Sequence, residues 1–182
     1  MKKKIILASV VSACLALMLV GFVLVTLRFP IRYLDIIEEH SLDTAFVLSV
    51  IHAESTFRPH VVSHRGAIGL MQIMESTGQD MANRMGFYDF DYSALLIPES
   101  NIAIGIFYLN WLEQYFGDDR TLILSGYNAG PGRVRQWLAD ERFSQDGITL
   151  SYIPFPETRN YINRVKRNYI IYTWLLRLHS LF

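Results

Sequence analysis

The sequence has a single cysteine, Cys14, and few dense clusters of charge. One thiol excludes an internal disulfide framework and any cysteine-based zinc site. After residue 28 no Lys/Arg cluster is denser than "RVKR" at 164–167, so the basic patch typical of a nucleic-acid-binding protein is missing there. The sequence also lacks a convincing period-2 strand pattern, internal repeats and low-complexity tracts. These absences predict an all-α protein that does not bind nucleic acid.

Charge is absent between Ile5 and Leu27. A helix of roughly 23 residues at about 1.5 Å per residue is about 34 Å long, which is enough to cross a bilayer. Three lysines precede this run, and the positive-inside tendency therefore places the N-terminus in the cytoplasm. We predict an N-terminal tip and transmembrane anchor over 1–28 and an extracytoplasmic domain over 29–182.

Two other interpretations of the N-terminus are weaker. A cleavable signal peptide usually has a shorter apolar region followed by a small-residue cleavage site, and none follows Leu27. The sequence "VSAC" ending at Cys14 resembles a lipoprotein processing site, but the residues after Cys14 stay apolar. An uncleaved span is therefore the preferred prediction.

The part of the chain after the span is nearly neutral. It carries 14 basic and 17 acidic side chains, a net charge of −3. We therefore expect a ligand that is neutral or mixed in charge.

Helical patterns cover most of this outer part. Their ends are marked by capping residues, prolines and glycines. The predicted helices are Tyr33 to His40, Asp43 to about Ser55, Leu70 to about Met85, Pro98 to Gly117, one capped by Asp118 or Asp119 that runs into "GYNAGPG", and about Glu157 to Leu178.

Glu54, within "HAESTFRP", is an acid on an apolar helix face. Val47, Val50 and Ile51 precede it at the i−7, i−4 and i−3 positions, so all four side chains share one stripe. Burial and the negative end of the helix dipole both raise a carboxyl pKa. Such a group is suited to act as a general acid, although an ion pair with Arg58 at i+4 is the simpler interpretation of the spacing alone.

Two later stretches favour the interpretation of Glu54 as a general acid. "GAIGLMQ" brings two glycines close to Gln72, which suits a loop whose backbone approaches a ligand. "GYNAGPG" places Tyr127 and Asn128 where a helix breaks, and these side chains offer an aromatic face and an amide to a sugar.

The order and wording of several motifs resemble those of the bacterial lytic transglycosylases. The matching stretches are "AEST", "GLMQI", "ESNIAIGIFYL", "GYNAGPGRV" and "ETRNYINRV", between about Leu34 and Tyr172. The family has the soluble-lytic-transglycosylase catalytic domain, which is all-α and similar to goose-type lysozyme. The resemblance therefore implies this fold for residues 29–182, behind one transmembrane helix.

The resemblance also implies an activity: cleavage of the MurNAc-β-1,4-GlcNAc bond of peptidoglycan without water, leaving 1,6-anhydroMurNAc ends. Glu54 would act first as acid and then as base, and no cofactor is needed. The implied substrate-binding residues are Ser55, Met71, Gln72, Tyr127, Asn128 and Tyr161. Of these, Gln72 and Asn128 would bind the glycan, and Tyr161 would orient the glutamate.

The sequence departs from the family at two positions. Glu75 stands where proline is common, and Gly126 stands where alanine is common. Three histidines, His52, His60 and His64, offer an alternative metal site, but their spacings match no metal motif. We predict no metal.

Two other functions remain open from sequence. A hydrolysing muramidase would need a second acid, for which Asp89, Asp91, Glu99 and Glu113 are available without a motif that places them opposite Glu54. A non-catalytic peptidoglycan-binding scaffold would keep the cleft but usually lose the acid.

Overall fold

A computed structural model of the chain describes residues 2–40 and 42–181. It divides into two compact units, Met1–Arg32 and Tyr33–Phe182. The predicted boundary after residue 28 stays a prediction.

The first unit is one apolar helix, α1 (Lys2–Arg28). Its stretch Val11–Arg28 has a mean hydropathy of 2.2, and none of it is buried. Length and composition suffice for a membrane span. A signal sequence near an N-terminus meets the same criteria.

The second unit is all-α, as predicted. Its helices are α2 (Leu34–Glu38), α3 (Thr44–Glu54), α4 (Glu75–Arg84), α5 (Pro98–Phe116), α6 (Arg120–Ala129), α7 (Pro131–Leu138) and α8 (Pro156–His179), with a 3₁₀ helix at Tyr92–Leu96. No strand forms among the described residues; only isolated bridges join Val62 to Ile68 and Ile68 to Ile73.

The core surrounds α3, in which every residue from Ala45 to His52 is buried. Its mostly apolar sequence suits a helix covered on all sides. The most extensive partner of α3 is α8, while α6 packs against α5, α7 and α8. The C-terminal end of α3 therefore lies inside the fold, close to α8.

Several predicted helix ends are confirmed. The Asp43 carboxylate accepts a hydrogen bond from the Phe46 N–H and begins α3. Asp119, rather than Asp118, caps α6 by accepting from the Thr121 and Leu122 N–H groups. Pro98 begins α5, which ends at Gly117. These signals act locally, so sequence reveals them.

The prediction of a helix beginning at Leu70 is wrong, because α4 begins only at Glu75. Gly69 and Gln72 have φ angles of 80° and 49°, in the left-handed region that a right-handed helix does not use. Ile68 and Ile73 instead exchange two backbone hydrogen bonds of 2.9 and 3.0 Å. Residues 68–74 therefore form a tight loop, which we call the Gly69 loop.

Candidate active site

Glu54 is the last residue of α3. Directly after it, Thr56 and Phe57 have φ angles of 54° and 59° and turn the chain away. The Ser55 hydroxyl donates to the Ile51 carbonyl and stays within the helix end. Glu54 therefore projects from a sharp turn at the end of a buried helix.

The surroundings of Glu54 favour its neutral form. Burial raises the pKa of its carboxyl group to about 7, while the nearby Tyr161 hydroxyl and the charge of Arg164 act in the opposite direction. The side chain is half-buried. Near neutral pH the group is therefore present as both acid and carboxylate.

Two tyrosines lie close enough to Glu54 for its charge to affect them. Burial, and secondly the Glu54 charge, raise the pKa of Tyr127 and Tyr161 well above the ordinary value. Both hydroxyls stay protonated and can donate. Tyr127 donates to the Met71 carbonyl at 2.8 Å. Among residues 2–40 and 42–181 the buried Tyr161 hydroxyl meets no partner at standard hydrogen-bond geometry, Glu54 included.

The Gly69 loop is held beside these tyrosines by α5. The buried Asn101 side chain accepts from the Met71 N–H at 2.8 Å and donates to the Ile68 and Leu95 carbonyls. A Cβ on Gly105 would lie 2.3 Å from the Met71 sulfur, so the Met71 side chain packs directly against the backbone of this helix. Asn101 and Gly105 thus position the loop.

Gln72 extends from this loop with its amide partly engaged. Its Nε2 donates to the carbonyls of Val61 and Gly69, at 3.1 and 2.9 Å. The amide oxygen is then the atom offered to a ligand, as an acceptor.

Asn128 offers a ligand the opposite hydrogen-bonding group to that of Gln72. Its Oδ1 accepts from the hydroxyl of Thr158 at 2.8 Å, and Thr158 is buried on α8. The amide NH₂ is therefore the group offered to a ligand, as a donor.

Thr158→Val should lower kcat/KM about tenfold, because an isosteric side chain without a hydroxyl leaves the Asn128 amide unfixed. Thr158→Ser keeps the hydroxyl and should retain most of the activity. The test is the steady-state turnover by both variants of peptidoglycan fragments, the substrate that the motif resemblance implies. Equal kcat/KM for the valine variant and the original chain would contradict this role.

The structure brings most of the predicted site residues together. Glu54, Tyr127, Tyr161 and the Met71 carbonyl form one connected group. The side chains of Ser55 and Met71 are fully buried beside this group. Their predicted part in substrate binding stays a prediction, as do the roles of the other site residues.

Sequence reasoning missed three residues near the site: Asn101, Thr158 and Arg164. All three lie inside the quoted motifs "ESNIAIGIFYL" and "ETRNYINRV". A polar Asn101 at the start of an otherwise apolar helix was the available signal, since buried amides usually have specific partners.

Three of the four proposed second acids line a cavity whose lining does not include Glu54, and one of the three histidines packs against α8. Asp89, Asp91 and Glu99 line a separate cavity of about 580 Å³ between α4, the 3₁₀ helix and α5. His52 is buried against Tyr172. Across residues 2–40 and 42–181 no group of three His, Cys, Asp or Glu could hold a metal.

The fold and site together define a lysozyme-like all-α domain with one acidic group at the end of a buried helix. The chain belongs to the transglycosylase SLT domain family, whose profile matches residues 35–148. The α8 residues, including Tyr161, lie beyond that match.

Named relatives agree with this family. The soluble lytic murein transglycosylase of Salmonella typhimurium is 38% identical over 144 residues, which cover 76% of this chain and 22% of that protein. The membrane-bound lytic murein transglycosylase C of Haemophilus ducreyi is 29% identical over 161 residues, covering 75% of this chain and 44% of that protein. This chain thus corresponds to less than half of either relative.

Solved structures confirm the predicted fold. The 70 kDa soluble lytic transglycosylase of Escherichia coli superposes with a TM-score of 0.73 at 32% identity, over 84% of this chain and 26% of that one. An inactive glutamate-to-glutamine mutant of lytic transglycosylase Slt from Pseudomonas aeruginosa gives 0.72 at 31% identity, with the same coverage.

Proposed function

We propose that this chain is a membrane-anchored peptidoglycan lytic transglycosylase that cleaves the MurNAc-β-1,4-GlcNAc bond without water and leaves 1,6-anhydroMurNAc ends. The observation that carries the proposal is the Glu54 carboxyl group, whose pKa is raised to about 7 by burial. Among the described residues, the side chains that counteract this shift are Tyr161 and Arg164, and no second carboxylate contributes. A single carboxyl group without a second carboxylate beside it suits a reaction that needs only one acid.

Glu54 acts twice in the proposed reaction. Its acid form gives a proton to the glycosidic oxygen as the bond to the anomeric carbon breaks. The resulting carboxylate then removes the proton from the muramyl C6 hydroxyl, whose oxygen attacks the same carbon. Glu54 is protonated again at the end of the reaction, and the product contains no added water.

The neighbouring groups have matching tasks. The protonated Tyr161 hydroxyl lies near Glu54 and is placed to donate to its carboxylate form between the two steps. The Gln72 oxygen and the Asn128 amide NH₂ offer one acceptor and one donor to the glycan. Tyr127 holds the Gly69 loop through the Met71 carbonyl. The site therefore orients a neutral sugar mainly by hydrogen bonds.

Activity should fall as the pH rises through about 7. The first step needs the protonated acid, so kcat/KM should be level below the pKa of Glu54 and drop about tenfold per pH unit above it. Arg164→Gln removes a charge that lowers this pKa and should move the fall to higher pH. A pH profile of both proteins checks the sign; an unchanged profile in the variant would exclude this influence of Arg164.

Product chemistry tests the function itself. The full chain in mild detergent is incubated with purified peptidoglycan, and the released muropeptides are weighed by mass spectrometry. Products lighter by one water than hydrolytic ones are expected. Full-mass reducing products would instead identify a muramidase, and binding without release would identify a scaffold.

The membrane anchor is part of the proposal. It is supported by the length and composition of α1 and by the membrane-bound relative named above. The three N-terminal lysines favour a single-pass orientation with the catalytic domain on the extracytoplasmic side, where peptidoglycan lies. Protease added to intact protoplasts should digest the domain; complete protection would reverse the proposed orientation.

A further inference from the structure

The C-terminal half of α8 exposes large apolar side chains to water. Ile170 and Trp174 are 70% and 47% exposed, and Leu181 just beyond the helix is 72% exposed. At about 100° per residue, Lys166, Arg167, Ile170, Trp174 and Arg177 fall within a sector of about 100° on the helix surface. We call these five residues the α8 stripe.

The orientation of the stripe is fixed by the opposite face of α8. Val165, Asn168, Tyr172 and Leu175 are buried there. Asn168 donates to the Ser49 carbonyl of α3. The helix cannot turn Ile170 or Trp174 inward without exposing this packed face, so their exposure is a property of the fold.

The segment of the chain that carries the stripe has charge of one sign. Residues 158–182 contain five arginines and lysines and no aspartate or glutamate. No ion pair between described side chains engages Lys166, Arg167 or Arg177. The nearly neutral outer domain thus concentrates positive charge beside exposed apolar groups.

This combination matches one class of partner. Basic side chains alone would suit any polyanion, whereas Trp and Ile between them suit a surface that is anionic outside and apolar beneath. Tryptophan in particular is enriched at the headgroup level of membranes. If the helix faced only water, exposing these apolar side chains would bring no such stabilisation.

We propose that the α8 stripe binds the surface of a bilayer that contains anionic lipid, with Ile170 and Trp174 entering the headgroup region and the basic residues contacting lipid phosphates. This proposal adds a second membrane contact to the proposed anchor α1 and rests on that anchor only for proximity. Only five residues separate the end of α1 from the start of α2, so the chain keeps the domain close to whatever bilayer holds α1.

A fluorescent probe on the stripe tests the contact in the full chain. The sole cysteine is removed by Cys14→Ala, and Ile170→Cys is labelled with a nitrobenzoxadiazole probe. The matched control carries the same probe at Asn83→Cys, an exposed position on α4, which packs against α5 and the 3₁₀ helix. Both proteins are reconstituted into phosphatidylglycerol/phosphatidylethanolamine vesicles, and peptidoglycan turnover verifies that each is folded.

In anionic vesicles, dithionite should reduce the outward-facing probe at position 170 about tenfold more slowly than at position 83, with a blue-shifted emission. Phosphatidylcholine vesicles should weaken this protection. Adding Arg167→Glu and Arg177→Glu should remove it, since each basic residue contributes separately to binding anionic lipid. Turnover of soluble peptidoglycan fragments in detergent should be unaffected by both substitutions.

Other results would overturn the proposal. Equal reduction rates at the two positions in anionic vesicles would show no contact. Protection that grows with protein density, independent of lipid charge, would identify a second copy of the chain as the partner. If the chain fails to float with vesicles of either kind, both the anchor and the stripe contact are wrong. If the chain floats only with anionic vesicles, and the double substitution abolishes this flotation, the stripe contact is retained and the anchor is overturned.

Discussion

Glu54→Gln is expected to reduce muropeptide release by at least about a thousandfold, because an amide can neither donate the first proton nor remove the second. The measurement is turnover of purified peptidoglycan by the full chain, followed by mass spectrometry. Glu99→Gln is the matched control: Glu99 is exposed in the first turn of α5, outside the site, and its substitution should leave the rate unchanged. Substantial release by the Glu54 variant would require another acid and would contradict the one-acid mechanism.

The same substitution should stabilise the domain at high pH. The folded-state pKa of Glu54 is raised from its ordinary value to about 7. The folded protein therefore holds its proton longer than the unfolded chain does, and stability present below about pH 4 is lost as the pH rises through 7. The full loss is about 3 kcal/mol in the free energy of unfolding. Because a glutamine side chain does not ionise, the Glu54→Gln variant does not lose this stability as the pH rises.

Urea unfolding in mild detergent, followed by tryptophan fluorescence, can measure this difference. All three tryptophans, Trp111, Trp137 and Trp174, lie in the second unit and report on its unfolding. The stability of the glutamine variant relative to the original chain should increase between pH 4 and pH 8. A difference that does not change with pH would mean that Glu54 ionises normally in the folded state.

Gly69→Ala is expected to cause the largest loss of stability, at least about 3 kcal/mol in the free energy of unfolding. A Cβ at this position would lie 2.2 Å from the Asn101 amide nitrogen and 2.4 Å from the Leu95 carbonyl oxygen. The carbonyl belongs to the backbone and cannot move away as a flexible side chain could. The φ angle of 80° adds further strain for any residue with a Cβ.

Gly66→Ala provides the control for that strain. Gly66 has a similar φ angle of 83°, but a Cβ there would meet no atom within 4 Å. Its substitution should cost only about 1–2 kcal/mol, so the difference between the two variants isolates the close approach to Asn101 and Leu95. Urea unfolding of both variants measures it. Equal losses would mean that backbone strain alone requires glycine in this loop.

Local signals explain why much of the fold was predictable. The Asp43 cap, Pro98 and Gly117 act on backbone groups within a few residues, and the structure uses each as expected. The short helix α7 and the 3₁₀ helix were not predicted. Each is eight residues or fewer, too short for a clear apolar period.

The candidate site was only partly predictable. The apolar stripe before Glu54 indicated a buried acid, and the structure gives the surroundings that raise its pKa. Asn101 could not be assigned a partner from sequence, because its hydrogen bonds reach residues 30 and 33 positions away. Thr158 likewise contacts Asn128 across 30 residues.

The sequence by itself determined the apolar N-terminal helix, the all-α class, the helix ends marked by Asp43, Pro98 and Gly117, and the position of a single acid in an apolar stripe. These features depend on neighbouring residues, and short-range spacing records them. Only the tertiary structure decided that residues 68–74 form a loop and not a helix turn. Contacts from Asn101 and the exchange between Ile68 and Ile73 satisfy the loop's backbone groups there, and they outweigh the helical period of Leu70, Ile73 and Met74. The Glu54 pKa was decided in the same way, because desolvation depends on which helices cover the carboxyl group after folding.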